Sequence, residues 1–315
     1  MVALLLAGAG AIYGSFPGPP PGPPPIPVGG LHLYFLNLGQ GDGALLVTAD
    51  GVTALVDGGD PNRGPELVKW LRSIGIQKVD WIMPSHPHRD HIGGLNVVLE
   101  QLPVGGVLVS SQPGKRDHQK QLKLAQDKGI PVTTAQEGVV LRLGADVTAT
   151  VLNPPVQLLS TSEPEEDNSV LLRVCTAGAC ALFTGDIGNG GERALLARVS
   201  GSPDKLRSQV LKVSHHGAAE PNDPALLALI RPEVALIGAG AANSFSHPTR
   251  TALDRLASAG ATVYCTHVDG TVLVELTRST YTVVRLPNVV IRATVDGKAA
   301  RAPDLRPGPC KAGGL

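Results

Sequence analysis

The sequence predicts an α/β protein in which two β-sheets face each other and helices cover the outer surfaces. Three observations support this fold class. Apolar runs of strand length recur along the 315 residues, with segments of helical spacing between them. Hydrophobic residues make up 43% of the chain, which is enough for a substantial core. Several apolar runs end in glycine, aspartate or histidine, as strands do when they deliver side chains to a site.

The strands are predicted from short runs of valine, leucine and isoleucine bounded by turn residues. Two early runs meet Gly-rich turns that carry Asp42 and Asp57, which suits a sheet edge that faces a site. We expect strands at residues 31–38, 44–48, 53–56, 79–83, 107–110, 131–134, 139–143, 147–152, 168–176, 180–184, 210–213, 234–237, 263–266, 272–276 and 281–284.

The helices are predicted from apolar residues that recur three and four positions apart. Leu67, Val68, Leu71 and Ile74 show this spacing clearly. The segment after Gly93 is expected to begin a helix at the site, and the lysine-rich segment near 120 to form a charged helix. We expect helices at residues 65–74, 94–102, 115–128, 191–199, 224–229 and 249–259.

The two ends of the chain differ in composition from the rest. Residues 1–15 contain a short apolar run that resembles a signal-peptide core, although no lysine or arginine precedes it. Residues 16–30 are dominated by proline and glycine, which favour a stiff spacer. We expect a folded domain at 31–285 and a loosely ordered tail at 286–315, with one strand near 289–295. An exported or membrane-tethered protein is one interpretation, and an incorrectly assigned start is the other.

Four cysteines bear on the cellular compartment. Cys175 and Cys180 flank Thr-Ala-Gly-Ala between two apolar runs, so they form either a disulfide across a hairpin or two free thiols. Cys265 and Cys310 are a second candidate pair. Disulfides fit an extracytoplasmic location, and no Cys-x-x-Cys spacing indicates a structural zinc site.

The charge balance gives no general attraction toward nucleic acid. The 27 basic and 27 acidic residues cancel, and aromatic residues make up only 3% of the chain. A platform of aromatic rings for stacking bases is therefore hard to build. One local basic segment remains as a candidate phosphate contact, although a solvated helix face is the simpler and preferred interpretation: Lys115, Arg116, His118, Lys120 and Lys123.

The most informative stretch is His-Pro-His-Arg-Asp-His at 86–91, which directly follows an apolar strand. Side chains two residues apart share a face when the backbone is extended, so His86 and His88 can bind one metal ion. Asp90 and His91 follow after the chain turns and can reach a second ion nearby. Histidine and aspartate are ordinary ligands of zinc, manganese and iron. The alternative is a run of surface histidines in a loop.

Three later segments also place metal-binding or proton-transferring residues at strand ends. Asp186 ends the run Leu-Phe-Thr-Gly-Asp, where it either bridges two ions or caps the following helix. His215 and His216 follow the strand at 210–213, and we assign His216 as a metal ligand and His215 as a group over the substrate. His247 is expected to bind substrate or to donate a proton, or else only to lead into a helix. His267 is interpreted as part of a turn.

Taken in order, the motifs resemble the metallo-β-lactamase-like domain of the ComEC/Rec2 DNA-uptake family. The motifs are LNLGQGDG, LVDGGD, SHPHRDHIGGL, DNSVLL, LFTGD, LKVSHHG, NSFSHP and THVDGTV, and they cover roughly residues 31–276. The resemblance implies a metallo-β-lactamase fold, a four-layer αββα sandwich. Proteins of that family carry a large membrane region, so we expect this chain to be an exported, stand-alone relative without a transmembrane channel.

The resemblance also implies a centre of two divalent ions, zinc or manganese. The first ion is expected at His86, His88 and Asp186, and the second at Asp90, His91, Asp186 and His216. Asp90, His215 and His247 are the implied catalytic residues. Many members of the superfamily have a further histidine before the bridging aspartate, but none lies between His118 and His215 here. Asn168 or water is expected to fill that position as a weak ligand, and Asp57 is a second candidate for a supporting role.

Three functions remain open at this point. The first is a phosphodiesterase, with DNA as one substrate, in which the metal pair activates water. The second is another ester hydrolase on the same scaffold, such as a phosphorylcholine esterase or a lactonase; a β-lactamase fits the motifs less well. The third is a non-catalytic accessory protein that has kept the fold.

Overall fold

Two β-sheets pack face to face in the computed structural model of the chain. The structure describes Ile26 and residues 28–241, 243–289, 294–295, 298–299 and 310. The predicted signal-like segment and most of the spacer lie outside the described residues, as does most of the predicted tail. Among the described residues, no helix has both the length and the apolar character that crossing a membrane requires.

The first sheet has eight strands in the order β15-β14-β1-β2-β3-β4-β5-β6. Neighbouring strands run antiparallel from β15 to β3 and parallel from β3 to β6. The bounds are β1 (Leu31–Phe35), β2 (Gly43–Thr48), β3 (Thr53–Gly58), β4 (Val79–Met83), β5 (Val104–Ser110), β6 (Val132–Ala135), β14 (Thr271–Leu276) and β15 (Tyr281–Leu286).

The second sheet has seven strands in the order β13-β12-β11-β10-β9-β8-β7. Strands β10 to β13 are parallel, and β7 to β10 are antiparallel. The bounds are β7 (Val140–Arg142), β8 (Thr148–Asn153), β9 (Leu171–Cys175), β10 (Cys180–Phe183), β11 (Val210–Lys212), β12 (Val234–Ile237) and β13 (Thr262–Cys265). A separate two-stranded pair consists of β16 (Thr294–Val295) and β17 (Lys298–Ala299).

The longer helices lie on the outer surfaces and connect the parallel strands, whereas two four-residue helices lie between β8 and β9 and between β13 and β14. Their bounds are α1 (Gly64–Ser73), α2 (Arg89–Gln101), α3 (Arg116–Asp127), α4 (Pro164–Asp167), α5 (Asn189–Val199), α6 (Pro224–Ile230), α7 (Arg250–Ser258) and α8 (Thr266–Asp269). Short 3₁₀ turns occur at Pro61–Arg63, Pro203–Leu206 and Ser214–Gly217. The predicted turn at His267 is the short helix α8.

Three hydrophobic clusters define four layers and confirm the predicted αββα sandwich. The central cluster joins the facing sides of both sheets, with Phe35 and Leu46 from one and Phe183 and Leu236 from the other. A second cluster packs the first sheet against α1, α2 and α3, and a third packs the second sheet against α5, α6 and α7. Burial of apolar area on both faces of each sheet is what holds the layers together.

The prediction for α2 was wrong at its start. The helix begins at Arg89, not at 94, so Asp90 and His91 lie in its first turn. The hydrophobic pattern begins only at Ile92, and the motif before it therefore resembled a loop. Gly94 allows the helix to approach β3 closely, because a Cβ there would clash with the carbonyl oxygen of Gly58. The amide of Gly94 donates instead to the carbonyl of Gly59 at 2.8 Å.

Both candidate cysteine pairs form disulfides in the structure. Cys175 and Cys180 are directly opposed across the β9–β10 hairpin. Cys265, at the end of β13, is joined to Cys310. The structure describes all four cysteines, and none of them is free.

Leu46→Ala is expected to lower the free energy of unfolding by about 2–5 kcal/mol, because Leu46 is fully buried between the two sheets. Leu122→Ala is the matched control. Leu122 is 36% exposed on α3, and its truncation is expected to cost about 1 kcal/mol or less. Urea denaturation followed by circular dichroism measures both variants. Equal losses would contradict the placement of the central core.

Candidate metal centre

Loops from both sheets converge at one edge of the sandwich, where the parallel strands have their carboxyl ends. The loop after β1 carries Asp42, and β3 ends at Asp57 and Gly58. The histidine motif follows β4, Asp186 follows β10, and His216 follows β11. Parallel strands end on the same side of a sheet, so residues far apart in sequence meet here.

His91 is held by a carboxylate behind it. Its Nδ1 lies 3.0 Å from Oδ2 of Asp57, whose Oδ1 accepts the backbone N–H of Ser85 at 2.7 Å. Its Nε2 therefore faces the opposite way, 3.3 Å from Oδ2 of Asp186 and 3.8 Å from Oδ2 of Asp90. A carboxylate on one imidazole nitrogen fixes the ring so that the other nitrogen can bind a metal. The structure thus places Asp57 behind His91, on the side of the ring opposite Asp186.

His216 faces the same two carboxylates from the second sheet. Its Nε2 lies 3.2 Å from Oδ2 of Asp186 and 3.5 Å from Oδ2 of Asp90, and its Nδ1 lies 3.5 Å from Oδ1 of Asp42. The turn that aims the ring requires left-handed backbone at His215 and His216, with φ of 49° and 53°. Such conformations are costly for residues other than glycine and recur at functional sites.

Asp90, His91, Asp186 and His216, here called the tetrad, direct four donor atoms at one another. The Nε2 atoms of His91 and His216 are buried and make no hydrogen bond among the described residues. Two imidazoles and two carboxylates at these separations fit a divalent transition-metal ion. Donor atoms of Asp42, His91, Asp186 and His216 also lie within 4.8 Å of one another. Asp90 is grouped with the tetrad because it faces the Nε2 atoms of both rings, whereas Asp42 faces their Nδ1 atoms.

Sequence reasoning missed the buried lysine beneath the tetrad. Lys212 is 3% exposed, and its ammonium contacts a carboxylate oxygen of Asp42, the carbonyl of Gly185 at 2.6 Å and Oδ1 of Asp186 at 3.2 Å. It also constrains the orientation of Asp186 through Oδ1, leaving Oδ2 toward the tetrad. A charged residue inside the apolar run Val-Leu-Lys-Val was the signal that could have identified it.

The local charges shift the pKa values in a consistent way. Burial alone would lower the pKa of His91, but Asp186, Asp90 and Asp57 outweigh it and raise that pKa well above its usual value. For Asp186, burial would raise the pKa, yet His216, His91 and Lys212 hold it well below its usual range. The tetrad therefore attracts positive charge strongly, and a metal ion would displace the histidine protons on binding.

The expected first metal position is less complete than the tetrad. His86 is buried, its Nδ1 lies 3.0 Å from the hydroxyl of Ser85, and its Nε2 has no hydrogen-bond partner among the described residues. Its ring centroid is 4.5 Å from that of His88. The Nε2 of His88, however, lies 2.9 Å from Oε2 of Glu165, on α4. The structure therefore pairs His88 with a carboxylate that the sequence analysis did not consider.

The side chain of Asn168 bonds to the backbone of its own loop and not to the residues of the tetrad. Its side-chain oxygen accepts the N–H of Leu159 at 2.8 Å, and its amide donates to the carbonyls of Leu159 and Pro164 at 3.0 and 2.9 Å. Both ends of the amide are thus engaged with backbone. The expectation that Asn168 fills the missing ligand position is corrected on this ground.

His215 and His247 lie beside the tetrad rather than in it. Nε2 of His215 is 4.0 Å from Oδ2 of Asp186, and its ring centroid is 5.7 Å from that of His247. Burial, followed by the positive charge of His216 and His215, lowers the pKa of His247 to about 4. Burial also lowers the pKa of His215. Two neutral imidazoles at neutral pH therefore border the centre.

Asp57→Asn is expected to weaken binding of Mn²⁺ or Zn²⁺ by about 10–100-fold, because the amide no longer fixes His91 as a carboxylate does. A competition titration against a chromophoric chelator measures the affinity. Asp254→Asn, on the exposed side of α7 where Asp254 pairs with Arg250, is the control and should leave the affinity unchanged. Equal affinity in Asp57→Asn and the unmodified protein would contradict the role given to Asp57.

Comparison with known proteins agrees with this geometry. The family model of the metallo-beta-lactamase superfamily matches residues 39–240. The chain is 27% identical over 212 residues to ComE operon protein 3 of Bacillus subtilis, and 29% identical over 240 residues to competence protein ComA of Neisseria gonorrhoeae. These alignments cover 65% and 74% of this chain but 26% and 30% of the relatives, so the chain spans less than a third of their length.

One further curated relative and one solved structure are also similar to the chain. Recombination protein 2 of Haemophilus influenzae is 27% identical over 249 residues, which cover 76% of this chain and 28% of that protein. Among solved structures, CmlA, a diiron beta-hydroxylase from Streptomyces venezuelae, superposes with a TM-score of 0.52 at 15% identity, over 81% of this chain and 54% of CmlA. That similarity concerns the fold alone. The family model matches more than half of the chain, and the matched segment contains the whole tetrad. The chain therefore belongs to the metallo-β-lactamase superfamily, and within it the chain is similar to the ComEC/Rec2 competence proteins.

Proposed function

We propose that the protein is a metal-dependent phosphodiesterase related to the ComEC/Rec2 competence proteins, with DNA as its first candidate substrate. One observation carries the proposal: Nε2 of His91 and of His216 each lie within 3.8 Å of carboxylate oxygens of Asp90 and Asp186. The resemblance of the motifs to the ComEC/Rec2 DNA-uptake family is the reason for choosing DNA, although the chain corresponds to less than a third of each of the competence and recombination relatives.

The tetrad would hold a divalent ion that lowers the pKa of a bound water and offsets negative charge on the phosphoryl group. The surrounding residues orient the side chains of the tetrad. Asp57 and Asp42 orient the imidazoles of His91 and His216, and Lys212 holds Asp186 through its other oxygen. Asp90 has a side chain that is 38% exposed, so it is the tetrad member with the best access to a substrate.

His215 and His247 are proposed to contact the substrate. Their lowered pKa values leave both rings neutral near pH 7, where an imidazole N–H donates a hydrogen bond without carrying charge. This state suits contact with a phosphoryl or leaving-group oxygen. It suits full proton donation at neutral pH less well, so of the two roles expected for His247 we favour substrate binding.

A small phosphodiester is the second candidate substrate, and two observations favour it. The predicted basic segment is largely neutralised, since Lys115, Lys120 and Lys123 pair with Glu165, Glu100 and Asp127 at 2.8–2.9 Å. A cavity of about 730 Å³ beside His215 is bordered by four carboxylate side chains and one guanidinium: Glu163, Glu166, Asp167, Glu220 and Arg193. An acidic wall repels a nucleic-acid backbone more than it repels a small diester.

We also propose an extracytoplasmic location. The two disulfides in the structure support it, because such bonds persist mainly in oxidising compartments. The signal-like composition of residues 1–15 agrees with this location but lies outside the described residues.

Asp186→Asn is expected to lower kcat/KM for bis-(p-nitrophenyl) phosphate by at least about 100-fold, because it removes a charge that two histidines and the metal share. The assay uses metal-depleted protein reloaded with Mn²⁺ or Zn²⁺, with single-stranded and duplex DNA in parallel. Asp254→Asn serves again as the control. Full activity in Asp186→Asn would contradict the proposed centre, whereas cleavage of the small diester alone would favour the second candidate.

A further inference from the structure

A loop beside the histidine motif brings a carboxylate against His88. The loop runs between β8 and β9 and contains the short helix α4, whose residues 164–167 read Pro-Glu-Glu-Asp. The side-chain amide of Gln112 donates to the carbonyl of Glu165 at 3.1 Å. The side chain of Asn168 joins two parts of the loop, because it accepts from the N–H of Leu159 and donates to the carbonyl of Pro164. The backbone at Glu165 is therefore held in place, which limits the region that this side chain can reach.

Glu165 lies directly against the expected first metal position. Its Oε2 is 2.9 Å from Nε2 of His88 and 2.9 Å from Nζ of Lys115. Its side chain is 27% exposed and that of His88 is 31% exposed, so both are accessible from solvent. If each bond is about 2.1 Å long, an N–O separation of 2.9 Å corresponds to two ligands about 90° apart on one ion, as in octahedral coordination.

His86 provides the second, independent observation. The residue is 2% exposed, and its Nε2 is buried without a hydrogen-bond partner among the described residues. A buried polar nitrogen without a partner is costly unless it binds something. Its ring lies 4.5 Å from the ring of His88 and 4.2 Å from that of His91, between the tetrad and the His88–Glu165 pair.

We propose that Glu165 takes the place of the missing histidine and, together with His86 and His88, holds a second divalent cation beside the tetrad. The inference rests on the proposed metal-dependent function and identifies a ligand of its centre. A carboxylate is a harder donor than an imidazole, so the exchange shifts the preference of this position from Zn²⁺ toward Mn²⁺. Lys115 contacts the same oxygen and competes with the cation for it.

Metal binding by the intact protein tests the inference without any assay of activity. Metal-depleted protein is titrated with Mn²⁺ and followed by calorimetry and by the electron paramagnetic resonance signal of free Mn²⁺. Two equivalents are expected, one held tightly by the tetrad and one held more weakly. Glu165→Gln should weaken the second equivalent at least about tenfold and leave the first unchanged. Lys115→Ala should strengthen the second equivalent.

Two further variants separate a ligand from a residue that only orients His88. Glu165→His should retain the second equivalent and change its preference toward Zn²⁺, which an orienting role would not do. Glu163→Gln, one residue before α4 and exposed, is the matched control and should bind as the unmodified protein does. Circular dichroism confirms that each variant is folded.

The outcomes distinguish this inference from the proposed function. Unchanged binding of both equivalents by Glu165→Gln overturns the inference. One tight equivalent in the unmodified protein, lost in His216→Ala, also overturns it but leaves the proposed function intact. No binding by the unmodified protein overturns both.

Discussion

The balance of buried charge at the edge of the two sheets is the constraint on which the site depends. Asp42, Asp57 and Asp186 are almost fully removed from water, and the buried cation facing them is Lys212. Buried carboxylates are tolerated only when they are paired, hydrogen-bonded or bound to a metal. The protein satisfies part of this demand with one ammonium and with imidazole nitrogens. The carboxylate oxygens of Asp90 and Asp186 that face the two imidazoles carry the remaining negative charge, and a divalent cation would neutralise it.

The fold brings these groups together because each sheet contains a set of parallel strands with their carboxyl ends at the same edge. One sheet contributes Asp57 and the histidine motif, and the other contributes Asp186, Lys212 and His216. Gly94 lets α2 pack against the end of β3, and Gly93 lets it pack against Pro61 in the turn that follows, so that the first turn of this helix carries Asp90 and His91 toward the second sheet. The large core between the sheets provides the rigidity that holds a metal centre.

Local sequence patterns predicted the layers, most strands and the members of the tetrad, because apolar runs ending in histidine or aspartate are visible without knowledge of contacts. The patterns did not reveal Lys212 or the role of Asp42, since a lysine in a strand resembles a solvated residue until its long-range partners are known. Glu165 was hidden for the same reason: a four-residue helix rich in acid resembles exposed loop. Asn168 was assigned to the metal because sequence position alone does not tell which way an amide points.

The central claim is that the tetrad binds a divalent ion, and a crystal structure of the protein soaked with Mn²⁺ tests it most directly. The account predicts an anomalous-scattering peak coordinated by Nε2 of His91 and of His216 and by carboxylate oxygens of Asp90 and Asp186. It also predicts Nδ1 of His91 still bonded to Asp57. Peaks found only away from these four side chains, or an ordered tetrad with no peak at saturating Mn²⁺, would contradict metal binding by the tetrad.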